Sequence, residues 1–169
     1  MTSAELLTDA FGRIREEVHQ AVDGLSADDL EYRADGEANS IAWLVWHLTR
    51  VQDDHIASAA GHEQTWLAHG WAERFGLSLD PHETGYGHNS EQVGAVRVKS
   101  GELLTGYHDA VYKQTIAYVS GLTDVDLPRV VDENWDPPVT LGVRLISVID
   151  DDMQHAGAAM FIRGLLLRR

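Results

Sequence analysis

Two short stretches of the chain carry residues that can bind a metal ion. The first, Ile41-Ala42-Trp43-Leu44-Val45-Trp46-His47-Leu48, sets a histidine in strongly apolar surroundings. The second, Asp151-Asp152-Met153-Gln154-His155, spaces a carboxylate and an imidazole at i and i+4. Such positions share one face of a helix, so Asp151 and His155 project side by side. Imidazole with carboxylate is a ligand set for zinc, nickel, iron or manganese. If His47 meets the pair across a helix interface, three protein ligands leave open positions, as in catalytic zinc and non-haem iron sites. Each stretch also has a plainer reading. Taken alone, His47 reads as a core histidine hydrogen-bonded to a neighbour, and Asp151 with His155 as a solvated pair contributing about 0.2–0.5 kcal/mol; the metal reading rests on the two together. Asp54, about two helical turns beyond His47, lies nearly on the same line.

The elements that must position these groups are helical. Residues 3–24 carry Leu6, Leu7, Phe11, Ile14, Val18 and Val22 on one stripe, with Thr2 and Glu5 at capping-box spacing. A loop follows, with one short turn started by Ser26. Asn39 or Ser40 caps a second helix over residues 41–60, stopped by Gly61. A short helix is expected within residues 63–75, and the Gly and Pro content of residues 81–88 marks a loop. Ser90 opens a third helix to about residue 121, with Val93, Val96, Leu104, Tyr107 and Val111 on its core face. Pro128, Pro137 and Pro138 interrupt the connection over residues 123–139. Thr140 then caps a last helix over residues 141–167, with Leu145, Val148, Ile149, Met153 and Ile162 turned inward. Four such helices with little strand signal predict an all-α four-helix bundle with a long crossover between the second and third, one domain over residues 1–169.

Composition narrows the function. The chain has no cysteine, which removes disulfides, iron–sulfur clusters and a Cys nucleophile. Any thiol chemistry must use a thiol brought by the substrate. Thirteen basic residues against 27 acidic ones give a net charge of -14, a field that repels nucleic-acid backbones. No apolar run reaches the roughly 18 residues of a membrane span. The first residues lack the pattern of a signal peptide, so a cytoplasmic protein is expected.

At these residues the chain resembles the DinB/YfiT-like superfamily, in the branch common in actinobacteria. The likeness rests on Asn39-Ser40-Ile41-Ala42-Trp43-Leu44-Val45-Trp46-His47-Leu48, Thr84-Gly85-Tyr86-Gly87-His88, and Asp152-Met153-Gln154-His155-Ala156-Gly157 with Arg163-Gly164. It runs in the same order over nearly the whole chain. The resemblance implies a four-helix bundle with a long crossover, and a homodimer. The family's metal triad is one His on the second helix and a His-x-x-x-His pair on the last. By position, His47 and His155 are the outer ligands, and Asp151 stands in place of the middle histidine. Some thiol-dependent members also carry a carboxylate there.

Relatives include thiol S-transferases that use mycothiol or bacillithiol, and a mycothiol-dependent maleylpyruvate isomerase. The resemblance therefore implies a divalent metal that activates a low-molecular-weight thiol such as mycothiol for attack on an electrophile. Asp54 is the expected base or orienting partner of His47. Trp43, Trp46, Tyr86 and His88, with Trp66 and Trp71, are the expected walls of the cofactor pocket. Two other functions use the same bundle: a dimeric, non-catalytic binding or stress-response protein with a decayed site, and a metal-dependent hydrolase. Neither Gly-x-Ser-x-Gly nor a P-loop is present to supply another nucleophile or phosphate cradle.

Overall fold

The computed structural model describes residues 1–168. In chain order its elements are α1 (Ser3–Val22), α2 (Ala27–Glu31), α3 (Ile41–Ala60), α4 (Thr65–Ala68), α5 (Trp71–Phe75), α6 (Ser90–Ala95), α7 (Gly101–Val119), β1 (Val130–Asp132), β2 (Val139–Thr140) and α8 (Leu141–Leu166). The long helices α1, α3, α7 and α8 form the expected bundle. Helix α3 packs on α7 and α8, α1 packs on the same two, and α1 and α3 face each other diagonally. Among the described residues, no helix is long and apolar enough to cross a membrane.

Local chemistry explains where the long helices begin. Thr2 and Glu5 form a capping box at α1, Ser40 Oγ accepts from the Trp43 amide at α3, and Thr140 caps α8 through the Val143 amide. Helix α3 ends at Gly61, whose φ of 76° is open to glycine at little steric cost. In α1, Leu7, Phe11, Ile14, Val18 and Ala21 recur at helical spacing and are buried. Each of the larger ones contributes roughly 1.5–3 kcal/mol of transfer free energy.

Helix α3 is buried on nearly every side because the crossover lies over the face that α7 and α8 leave open. Polar residues of α3 fasten that crossover. Asp53 accepts the amides of Thr65 at 2.9 Å and Trp66 at 2.7 Å, at the start of α4, and the Tyr107 hydroxyl at 2.8 Å. Arg50, fully buried, donates to Gln64 Oε1 at 2.8 Å and to the Glu83 carbonyl at 3.2 Å. These bonds bring residues 83–88 down over the N-terminal half of α3.

Four local expectations change. The helix expected over residues 90–121 is two helices, α6 and α7, because Val96 and Val98 are both buried across an extended break. Alternate burial is a strand's period and not a helix's. Gly101 then starts α7 where the Val22 side chain occupies the space a Cβ would need. The helix expected within residues 63–75 is likewise split, into α4 and α5, at Gly70 with φ 70°. The proline-rich connection contains an antiparallel pair, β1 with β2, in the register Val130↔Thr140 and Asp132↔Val139. Along α8 the inward stripe is Leu145, Val148, Asp152, Ala156, Ala159 and Ile162, while Met153 is 39% exposed. The packing of α8 on α1 and α3 fixes that rotation, and it turns a carboxyl inward in place of a thioether.

Candidate metal centre

The N-terminal half of α3 and the middle of α8 meet at three side chains. His47, 5% exposed, stacks on Trp43 one turn earlier with ring centroids 4.5 Å apart and planes 15° off parallel. Its ring also meets that of His155 edge-on at 4.7 Å. One ligand atom from each of His47, Asp151 and His155 lies within 4.8 Å of the others.

Backbone carbonyls fix both imidazoles. His47 Nδ1 is 2.6 Å from the Thr84 carbonyl oxygen, and His155 Nδ1 is 2.7 Å from the Asp151 carbonyl oxygen. A carbonyl only accepts, so each Nδ1 carries the proton and each Nε2 keeps its lone pair. Asp151 Oδ2 is buried with no hydrogen-bond donor. It lies 3.5 Å from His155 Nδ1, whose proton already points to the carbonyl. Burial holds the His47 imidazole below its usual pKa, helped by His155 and opposed by its bond to Thr84 and by Asp151. The site thus presents two free imidazole nitrogens and one orphaned carboxylate oxygen. A divalent cation satisfies all three, so the donor set fits one.

The loop over residues 83–88 completes the support. Gly85 has φ 96°, and a Cβ there would sit 2.6 Å from His47 Nδ1 and 3.1 Å from the Trp46 ring. Only glycine lets the chain pass this close to the ligand. The Trp43 indole N–H donates to His88 Nδ1 at 3.1 Å, which leaves the proton of His88 on Nε2, donated to Glu83 Oε2 at 2.6 Å. Trp43, His88 and Glu83 therefore brace His47 from behind.

The other expected site residues take different places. Trp43 and His88 are buried in that brace, and Trp46 is 1% exposed and stacked on His88 at 5.8 Å. Trp66 packs on Tyr107 and Trp46, and Trp71 on Tyr107, so both belong to the packing of the crossover. Tyr86 alone of the expected aromatic wall stands open to solvent, 93% exposed, at a cavity of about 490 Å³ that reaches His47 and Asp151. Asp54 faces the same cavity, accepts from Gln64 Nε2 at 2.6 Å and sits 3.7 Å from His55 Nδ1. The role of orienting His47 falls to the Thr84 carbonyl and not to Asp54.

Sequence reasoning overlooked several groups on the cavity wall. Arg144, Ser147 and Asp151 follow helical spacing on α8, and that periodicity was the signal for the first two. Thr84 acts through its backbone and Trp135 sits in an irregular turn, so neither carried any.

The sequence pattern of the Mycothiol-S-transferase family matches residues 6–167. No functionally curated protein matches the chain. Among solved structures, the crystal structure of a conserved protein from Enterococcus faecalis is 30% identical, with a TM-score of 0.92 over 100% of this chain and 99% of that one. That likeness covers the crossover and the β1–β2 connection as well as the four long helices. With the fold, the convergent triad and the match over nearly its full length, the chain belongs to the mycothiol-S-transferase family within the DinB/YfiT-like superfamily.

Proposed function

We propose that the protein is a metal-dependent S-transferase that joins a mycothiol-type thiol to a small electrophile. The observation that carries this reading is the convergence of His47, Asp151 and His155, with free donor atoms, on a cavity large enough for a small-molecule substrate. His47 Nε2, His155 Nε2 and an Asp151 oxygen would hold the ion. When bound, the divalent ion supplies Lewis acidity that favours the thiolate over the thiol at neutral pH.

The chain's own residues do the rest. The carbonyls of Thr84 and Asp151 keep both imidazoles aimed. Asp54, on the cavity wall, takes the thiol proton. The sulfur forms a bond to the electrophilic carbon, and the leaving group departs with its electron pair. The absence of cysteine means that the substrate brings the only thiol to the site. This suits work in the reducing cytosol.

We further infer that the protein works as a homodimer through α8. Val143, Ile146 and Phe161, at 55%, 62% and 67% exposure, line one outer stripe of that helix with Met153. Sedimentation of wild type should give a dimer, and Ile146→Glu with Phe161→Glu a monomer.

The test of the activity begins with elemental analysis after saturation with zinc, nickel, iron or manganese. One equivalent is expected, and none with any of the four ends the metalloenzyme reading. The loaded protein is then assayed with mycothiol and a simple alkylating electrophile. Metal binding without S-conjugate formation would remove the transferase reading and leave hydrolysis with a bound water to be assayed.

A further inference from the structure

A second cavity, of about 240 Å³, lies under the crossover, where α5 and residues 77–81 cover α3. It shares no lining residue with the cavity beside the triad. Trp46 and Trp66, 1% and 3% exposed, form its aromatic wall, with Leu77 and Leu79 beside them. An apolar void of roughly 150 Å³ holds one benzene ring, so this cavity has room for a ring with a short substituent.

The two indoles of that wall differ. Trp66 Nε1 donates to the Pro81 carbonyl at 3.0 Å, so its hydrogen bond is made. Trp46 Nε1 is buried and has no acceptor among the described residues. The Cζ3 edge of that ring abuts Gly85, 3.1 Å from where a Cβ would stand. Its N–H, on the opposite edge, therefore points away from the triad loop. A buried donor without a partner carries a desolvation cost that a bound acceptor removes. The charged groups of the lining are Glu73 and Asp80, both exposed, and no Lys or Arg joins them. Such a rim repels anions.

We propose that this cavity is a second binding site, for a small uncharged aromatic molecule with one hydrogen-bond acceptor, of which an aryl ketone is the simplest kind. The ring of the ligand lies against Trp46 and Trp66, and its oxygen accepts the Trp46 N–H. Volume selects a single ring, the orphaned donor selects an acceptor, and Glu73 with Asp80 selects against negative charge. The site is separate from the metal chemistry and stands whether or not the transferase reading does.

The test follows the indole N–H signals of the five tryptophans in the 15N-labelled chain by NMR, with the Trp46 signal assigned by triple resonance. Acetophenone should bind saturably and move the Trp46 signal most. α-Methylstyrene has the same shape with a CH2 in place of the oxygen, and should bind at least about fivefold more weakly. Benzoate, close to acetophenone in size but anionic, should bind at least about tenfold more weakly. Ala72→Phe fills the cavity from α5 without touching the donor, and should abolish acetophenone binding while a thermal melt checks that the variant folds. The proposal is overturned if millimolar acetophenone leaves the Trp46 signal unmoved, or if α-methylstyrene or benzoate binds as tightly as acetophenone. It is also overturned if a folded Ala72→Phe variant binds acetophenone as well as wild type, which would place the ligand elsewhere. The three ligands on wild type decide the matter on their own should that variant not fold.

Discussion

Along the seam between α1 and α7, Asp109 accepts from Arg15 Nε at 2.7 Å and from His19 Nε2 at 2.8 Å. His108 lies beside them, fully buried, with neither ring nitrogen bonded. Along the seam between α3 and α8, two other histidines and an aspartate meet, and there the donor atoms remain free. Both clusters hold two histidines and an aspartate, so those residue types alone do not make a candidate metal centre. In the first cluster the charged groups satisfy one another. Burial raises the Asp109 carboxyl, but its bonds to Arg15 and His19 override that and hold it below its ordinary pKa. In the second, backbone carbonyls take up the imidazole protons, so no side-chain donor saturates the carboxylate. A ligand set survives folding where backbone groups, and not its members' own side chains, orient it.

The largest expected effect tests that contrast directly. His155→Ala or His47→Ala should lower metal affinity by roughly 100-fold or more, since losing even an outer partner of a ligand costs 10–100-fold. His19→Ala should leave both affinity and stoichiometry unchanged in the same calorimetric titration. A fall in stoichiometry with His19→Ala would break the comparison.

The second effect belongs to His108. Burial depresses its pKa from 6.5 to about 4, so the folded protein strongly prefers the neutral ring. Its contribution is therefore intact above about pH 6.5 and is lost as the pH falls towards 4. The loss approaches something on the order of 3 kcal/mol at the low end. Urea titrations across that window should show the decline, and His108→Leu should flatten it. An unchanged slope in that variant would place the acid sensitivity elsewhere, for instance at His47 and His55, which are also depressed chiefly by burial.

Gly85→Ala comes third. A left-handed backbone and a Cβ pressed onto His47 and Trp46 should cost about 1–3 kcal/mol of stability and displace the ligand ring. Metal affinity should fall with it, whereas Gly87→Ala, with φ 72° but open space around it, should strain the backbone and spare the metal. Equal losses of affinity would mean that the close approach to His47 is unimportant. The smallest effect is Arg15→Ala. Its pair with Asp109 is about two-fifths exposed, so only about 0.2–1 kcal/mol is expected, with metal binding untouched.

The contrast also explains what could be read from the sequence. Caps and apolar stripes are local, so Thr2, Ser40, Gly61 and Thr140 located three of the four long helices to within a few residues. The break before α7 was hidden because Val96 and Val98 suit a helix stripe nearly as well as an extended run, and the Val22 contact that excludes a side chain at Gly101 is distant in sequence. On α8, apolar character nominated Met153 for the interior, yet packing buried Asp152 with neither carboxyl oxygen partnered. His47, Asp151 and His155 were legible as types and spacing. Their orientation was not, because it depends on carbonyl groups that every residue possesses.

That last point bears on how such a site changes over generations. Because Thr84 contributes its carbonyl and not its side chain, codon 84 is free to drift provided the loop keeps its path. Ala, Ser or Val there should retain the metal. Position 151 has narrower latitude: its carbonyl steers His155 whatever side chain it bears, but that side chain must still offer a ligand atom. Histidine and aspartate are thus exchangeable at 151 without re-aiming the other two ligands. The strictest steric demand falls instead on the glycine at 85, which carries no chemistry at all.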